Sequence, residues 1–481
     1  MKKILSVLAA ALIGSAGCGD ITDINVNPNG PVDVPAPSIL PAALQSVLSD
    51  NVLNTGLNVR YGGLWTQQTA EIQYRDEDKY IVRPGTTGGW GMYAGAVEDF
   101  QRMIDKGVKD STPNWEAVGR IMKSYAFSVM TDAMGDLPYS QALHGDSILQ
   151  PAYDKQSDIY NALFTDLTTA SGLIDPTGVG FPSGDLVYDG DMTEWRKLAN
   201  SLRLRLALHI QKANATKAAS EAAAAVAAGV FTSNADNAGL SYLSGSPNQN
   251  PIYRNRYIDG RDDYGMSQTL VDSMSNLSDP RLPVYAQPND TGAYVGLANG
   301  LNDGAGPPLK YISRFGAYWR ESPAANMYFM TYAEVLLLEA EAAERGWISG
   351  TPATLYAAGI RASMEQHGIA NGDIVAYLAQ PGVVYAGGAT GLHQIAYELW
   401  VTLYMNGMEA WNEWRRTQWP PLVPGVNAVK NAGVLNGIPE RMPYDDQELV
   451  LNNANVTAAV TAQGFAASND LWKPLWFTGR Q

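Results

Sequence analysis

Apolar residues recurring at helical spacing, in segments that fall in neighbouring pairs, constrain this chain more than any other feature of its sequence. The segments are Leu40–Leu57, Trp90–Val108, Asn114–Met134, Gln156–Leu173, Asp191–Ala213, Lys217–Val230, Ala325–Arg345, Thr351–His367 and Gly391–Arg416. Pairs spaced roughly thirty to forty-five residues apart predict an all-α fold of stacked helical pairs of the tetratricopeptide kind. No repeat motif stands out cleanly, so a non-repetitive bundle stays open as the alternative. Asp191 with Glu194 resembles a capping box, and Gly135-Asp136-Leu137-Pro138-Tyr139 reads as a helix-ending turn. Long loops separate the pairs: Ala70–Gly89, Thr177–Gly190, and Asn234–Pro323 with one short helix near Ser267–Met274. Loops of that length in a compact protein are usually functional.

The chain has a single cysteine, Cys18, so no internal disulfide can form and the core alone must hold the fold. Lys2 and Lys3, the apolar run Ile4–Ile13 and the small residues Ser15, Ala16 and Gly17 precede it. That order is expected of a signal segment, residues 1–17, removed when the Cys18 thiol accepts a lipid. Ser15 departs from the leucine usual three residues before such a cysteine, and a plain secretory signal with an incidental cysteine is the alternative. Gly19–Pro41, rich in Asn, Asp and Pro, reads as an extended tether, which divides the chain into 1–17, a tether at 18–41 and one domain at 42–481. Hydrophobic residues at 46% and charged residues at 17% indicate a globular protein, and no later apolar run is long enough for a membrane helix. The net charge of −15 argues against a nucleic-acid partner, because phosphate contacts need clustered Lys and Arg.

Aromatic usage is lopsided, 25 Tyr and 12 Trp against 9 Phe. Tyr and Trp join an apolar face to a hydrogen-bonding edge, which suits sugar rings and peptides. Candidate ligand contacts are Tyr74, Arg75, Asp76, Tyr80 and Trp90 in one loop, and Tyr311, Arg314, Tyr318 and Trp319 in another. The competing reading is that these rings pack the loops onto the helices. Glu334 and Glu341, seven apart, share one face of the mostly apolar helix EVLLLEAEAA and need partners there; Arg415 or Arg416 would serve in a buried ion pair, with Trp411 and Trp414 as packing.

No metal or cofactor is expected. Acidic groups at Asp76, Glu77 and Asp78, at Asp189 and Asp191, and at Asp259, Asp262 and Asp263 lack the alternating loop of a calcium helix-loop-helix and read as caps and turns. A structural calcium held by scattered loop oxygens would leave no motif. His144, His209, His367 and His393 lack HExxH spacing, and no GxSxG, Walker A or GxGxxG pattern is present. A hydrolase built on two carboxylates has no necessary spacing and remains a rival, as does a structural lipoprotein without a ligand.

Several stretches in order resemble one family. They are Ile24–Pro35 (INVNPNGPVDVP) with Leu64-Trp65-Thr66-Gln67-Gln68, Thr131–Tyr139, Asn200–Ile210, Asp279-Pro280-Arg281-Leu282, Met330–Gly346, and most specifically Gly407–Thr417 (GMEAWNEWRRT). Together with the Cys18 signal they resemble the SusD/RagB family of nutrient-binding outer-membrane lipoproteins. Leu471–Trp476 departs from that family's acidic ending. The resemblance implies a tetratricopeptide-like all-α scaffold with irregular ligand-binding loops, and no catalysis. It also implies a protein on the outer face of the outer membrane, lipid-anchored at Cys18, that acts as a lid over a SusC-like TonB-dependent barrel. The cargo it implies is oligosaccharide or peptide; the Tyr and Trp excess favours glycans, with RagB-like oligopeptide binding as the alternative.

Overall fold

Two of the long helices show how local sequence sets their ends. Pro113 opens the Pro113–Met134 helix and Gly135, at φ 96°, closes it, as the sequence predicts. Asp191 accepts the Thr193 and Glu194 amides at the head of Met192–His209. The capping box is only half formed, since the Glu194 carboxylate takes Lys197 at 2.9 Å instead. The computed structural model describes residues 34–83, 85–86, 88–429 and 437–481. The expected signal segment, Cys18 and residues 19–33 of the expected tether lie outside them.

The helical pairs are present. Glu98–Lys109 packs on Pro113–Met134, Met192–His209 on Ala215–Ala228, Tyr332–Glu344 on Pro352–Gln366, and Gly388–Thr402 on Gly407–Thr417. Gln156–Leu173 lies between Pro113–Met134 and Met192–His209, and Tyr332–Glu344 also touches Gly388–Thr402, so the pairs stack into one scaffold. One contiguous apolar cluster runs through them, with Trp65, Trp195, Trp400, Trp411 and Trp414 fully buried. Strand content is small: Thr69–Glu71 pairs antiparallel with Tyr264–Met266, and Ala238–Leu240 with Met327–Met330.

Several expected boundaries are corrected. The tether does not reach Pro41: a helix spans Ala36–Leu44, with Ala36 and Leu40 buried; Pro37 stands in its first turn, where proline is tolerated, and Pro41 lies inside the helix. Leu40–Leu57 is not one helix; a wider-wound segment Gln45–Val52 follows, and Asn54 then caps Thr55–Gly63. In Ala325–Arg345 the aromatic Met327–Met330 (MYFM) forms a strand and the helix starts only at Tyr332. Gly391–Arg416 is broken at Leu403–Asn406, where Met405 adopts φ 67°. Short helices at Pro251–Tyr257, Asn371–Leu378 and Asn453–Ala462 were not expected.

That break explains the glycine opening the GMEAWNEW motif. Gly407 crosses Gly62 so closely that a Cβ on Gly407 would lie 2.1 Å from the Asn58 carbonyl oxygen, and one on Gly62 would lie 2.2 Å from the Gly407 carbonyl carbon. Asn58 secures the crossing with both ends of its amide: Nδ2 donates to the Met405 carbonyl at 2.9 Å and Oδ1 accepts the Gly407 amide at 2.7 Å.

Candidate functional site

The first candidate loop divides between surface and interior. Tyr74 is 57% exposed, sits at φ 57° and stacks beneath the Arg261 guanidinium at 5.4 Å. Arg75 is buried and donates to the carbonyls of Ile72, Asn302 and Ala305 at 3.1, 2.8 and 2.8 Å, tying its loop to the next one. Asp76 pairs with Lys79 at 3.4 Å, and Tyr80 is buried edge-on to Trp472. Trp90 packs against Tyr93 and Tyr153 and borders an open groove of 470 Å³ that includes His144, Leu149 and Glu448. These five residues do not form one site: Arg75 and Tyr80 hold the loop in place, and Tyr74 and Trp90 serve different surfaces.

The second candidate loop leads to a cavity. Tyr311 is exposed beneath Lys310, and Arg314 shares the Asp262 carboxylate with Arg320, at 3.2 and 3.0 Å. Tyr318 and Trp319, carried on the short helix Ala317–Glu321, line a cavity of 390 Å³. Strand Met327–Met330, the end of Pro352–Gln366 and the turn at Leu403–Asn406 complete its walls with Asn326, Tyr328, Gln366, His367, Thr402 and Asn406. Sequence reasoning missed these residues because four separated stretches of chain converge only after folding. Trp319, 4% exposed, is locked edge-on to Tyr285, His367 and Tyr404 at 5.9, 5.8 and 5.3 Å. Tyr318 is 43% exposed, and its hydroxyl accepts the Asn326 amide at 3.0 Å.

The cavity joins aromatic and apolar walls to a few polar groups and is largely uncharged. Gln366 Oε1 accepts from Asn237 and Asn406 Nδ2 donates to the Phe329 carbonyl, leaving Gln366 Nε2 and Asn406 Oδ1 without a partner among the described residues. Burial, reinforced by Arg281, pushes the His367 imidazole down to about 4, so it is neutral at physiological pH. Glu334 reaches the cavity floor, but both its oxygens are held by Arg205, at 2.6 and 2.7 Å. Burial opposes the Arg205 charge, and Glu334 with Glu409 outweighs it and raises its pKa. An aromatic wall with amide and hydroxyl groups at its edges can stack a ring and hydrogen-bond its substituents.

The expected buried ion pair exists in altered form. Arg416 binds Glu341 and Glu413, whereas Glu334 pairs with Arg205 rather than with Arg415 or Arg416. Arg415 has no carboxylate within ion-pair distance among the described residues; it lies over the Trp411 ring at 3.5 Å and donates to the Glu440 carbonyl. Burial pushes its pKa down to about 10, with Asp132 and Glu440 opposing. Next to this network His209 bridges Asp132 and Glu409, at 3.0 and 2.8 Å. Among the described residues His209, Glu409 and Glu413 form the one cluster whose atoms lie close enough for a metal ion, yet each is already engaged, Glu413 by Arg416. The acidic stretch at Asp76–Asp78 likewise serves the loops: Asp78 accepts from Asn299 Nδ2 and the Gly300 amide, and Glu77 meets Arg83 at 2.9 Å.

Comparison with known proteins agrees with this architecture. The SusD-like family described as starch-binding and associating with the outer membrane matches residues 28–445. A solved chitin-binding protein is 29% identical and superimposes with a TM-score of 0.81, covering 92% of this chain and 99% of its own. A chitin-binding SusD homologue from Flavobacterium johnsoniae is 25% identical with a TM-score of 0.82, over 93% of this chain and 99% of its own. A SusD homologue from Bacteroides uniformis is also 25% identical, with a TM-score of 0.80, over 93% of this chain and 100% of its own. Among curated protein sequences none matches. With helical pairs, loop-built cavity and family match in agreement over nearly the whole length, the chain belongs to the SusD-like family.

Proposed function

We propose that this protein captures oligosaccharides in the Tyr318–Trp319 cavity and releases them chemically unchanged to a SusC-like TonB-dependent barrel over which it acts as a lid. In this reading Cys18 carries the lipid that anchors it to the outer membrane with the domain at the cell surface. The observation that carries the reading is the cavity itself: an exposed Tyr318 beside a locked Trp319, with amide and hydroxyl groups within the same 390 Å³. A pyranose ring presents an apolar face to stack and hydroxyls to hydrogen-bond, which is the chemistry these walls offer. Two relatives named as chitin-binding support a glycan, and N-acetylglucosamine oligomers are the first to try.

The test is titration of the purified protein with chitin oligomers, starch oligomers and short peptides, followed by tryptophan fluorescence and by chromatography of the recovered ligand. Saturable binding of an oligosaccharide, returned at full length and weakened by Tyr318→Ala, is expected. Shortened products would mean an enzyme, and peptide binding alone would favour the oligopeptide alternative. No response to any of them would refute capture.

A further inference from the structure

The cavity raises a question about charge, because guanidinium groups stand close behind its walls and none is open to it. Arg205 lies behind Glu334 and does not line the cavity: Nε and Nη2 donate to the two carboxylate oxygens, and Nη2 also to the Phe329 carbonyl at 2.7 Å. Arg281 lies behind Ser363, to which Thr402 on the cavity wall also bonds, and it is closed by Asp279 at 2.6 Å and Glu398 at 2.7 Å. His367 could supply a cation on protonation, but burial and its neighbour Arg281 keep it neutral. Among the described residues that line the cavity there is no Lys or Arg, and Glu334 is the sole carboxylate.

An anionic ligand would therefore lose hydration without gaining a counter-ion. A cationic one fares no better, because Glu334 is already bound on both oxygens and taking it would strand Arg205. Neutral ligands meet Gln366 Nε2, Asn406 Oδ1 and the Asn326 side-chain amide, donors and acceptors that suit hydroxyl or acetamido groups.

From this arrangement we infer that the cavity selects uncharged saccharides, neutral or N-acetylated, and rejects the corresponding rings bearing carboxylate, sulfate or ammonium groups. The inference rests on the reading that the cavity holds saccharide, and it adds the chemical class. Arg205 and Arg281 act here as sealed charges: they stabilise the scaffold and are withheld from the ligand.

The test uses the purified protein with an N-acetylglucosamine trimer, the same trimer de-N-acetylated and measured below pH 6, and a galacturonic acid trimer. Only the part of each signal abolished by Tyr318→Ala is counted. The neutral trimer should bind at least about tenfold more tightly than either charged trimer. Gln366→Lys, which adds a free ammonium at the cavity wall without breaking a buried ion pair, should narrow the gap for the galacturonic acid trimer. Equal Tyr318-dependent binding of all three, or tighter binding of a charged one, would overturn charge selection while leaving capture intact. Binding of none would remove capture and selection together.

Discussion

Arg416 holds Glu341 with two parallel hydrogen bonds, Nη1 to Oε1 at 2.9 Å and Nη2 to Oε2 at 2.6 Å, and so joins the Tyr332–Glu344 helix to the GMEAWNEWRRT helix. The arginine is fully buried, and burial opposes the Glu341 charge, but Arg416 with Arg345 outweighs it and brings the carboxyl down to about 2. Glu341→Ala leaves Arg416 with Glu413 alone in a dry interior. It should lower stability by about 3–5 kcal/mol in denaturant unfolding, with little change in ligand affinity. A variant as stable as the parent but poor in binding would relocate the site to this helix.

A second prediction concerns alkaline pH. His209 sits between Glu409 and Asp132; burial alone would lower its pKa, but the two carboxylates outweigh burial and raise it from 6.5 to about 10. The folded pKa is above the unfolded one, so the stabilisation is complete below about pH 6.5 and disappears as pH rises through about 10. Its loss across that window is on the order of 5 kcal/mol. His209→Gln should be less stable at pH 6 and should show a flatter decline up to pH 10, measured by denaturant unfolding at each pH. Parallel profiles for parent and variant would contradict a charged His209.

The Gly62–Gly407 crossing predicts that its chain separation is irreplaceable. Gly407→Ala must push a methyl group into the Asn58 carbonyl, and should cost about 3 kcal/mol or more through displaced backbone and a disturbed Asn58 clamp. Thermal unfolding should drop well below that of the parent. An unchanged melting temperature would show that the two segments are not this close in solution.

Cys18 gives a prediction in cells. Cys18→Ala should yield an unlipidated protein that no longer sediments with the outer membrane, as read by fractionation and intact mass. Unchanged membrane retention would remove the lipid anchor from the account.

How much of this was legible in the sequence varies with the range of the interactions involved. The long helices follow from local periodicity and from caps such as Asp191 and Gly135, so they were readable. Glu341 with Arg416 was readable too, because a carboxylate in VLLLEAEAA demands a cation. Glu334 with Arg205 was not, since many arginines could have served and only the packing of Met192–His209 against Tyr332–Glu344 selects one. The strand Met327–Met330 was hidden because its partner Ala238–Leu240 lies far away in sequence. In the cavity, Tyr318 and Trp319 were named for their chemistry. His367, Gln366 and Asn406 carry no local signal and matter only because their helix ends and turn meet there. Arg75 and Tyr80 show the converse: residue types suited to a ligand, used to fix loops.

The most direct measurement is a crystal structure of the protein with an N-acetylglucosamine oligomer. A sugar ring should lie against Tyr318 and Trp319, hydrogen-bonded to the Gln366 and Asn406 side chains, with every glycosidic bond intact. An empty cavity with the oligomer bound along the Trp90 groove or on the Tyr74 surface, or an oligomer cleaved in place, would contradict this reading.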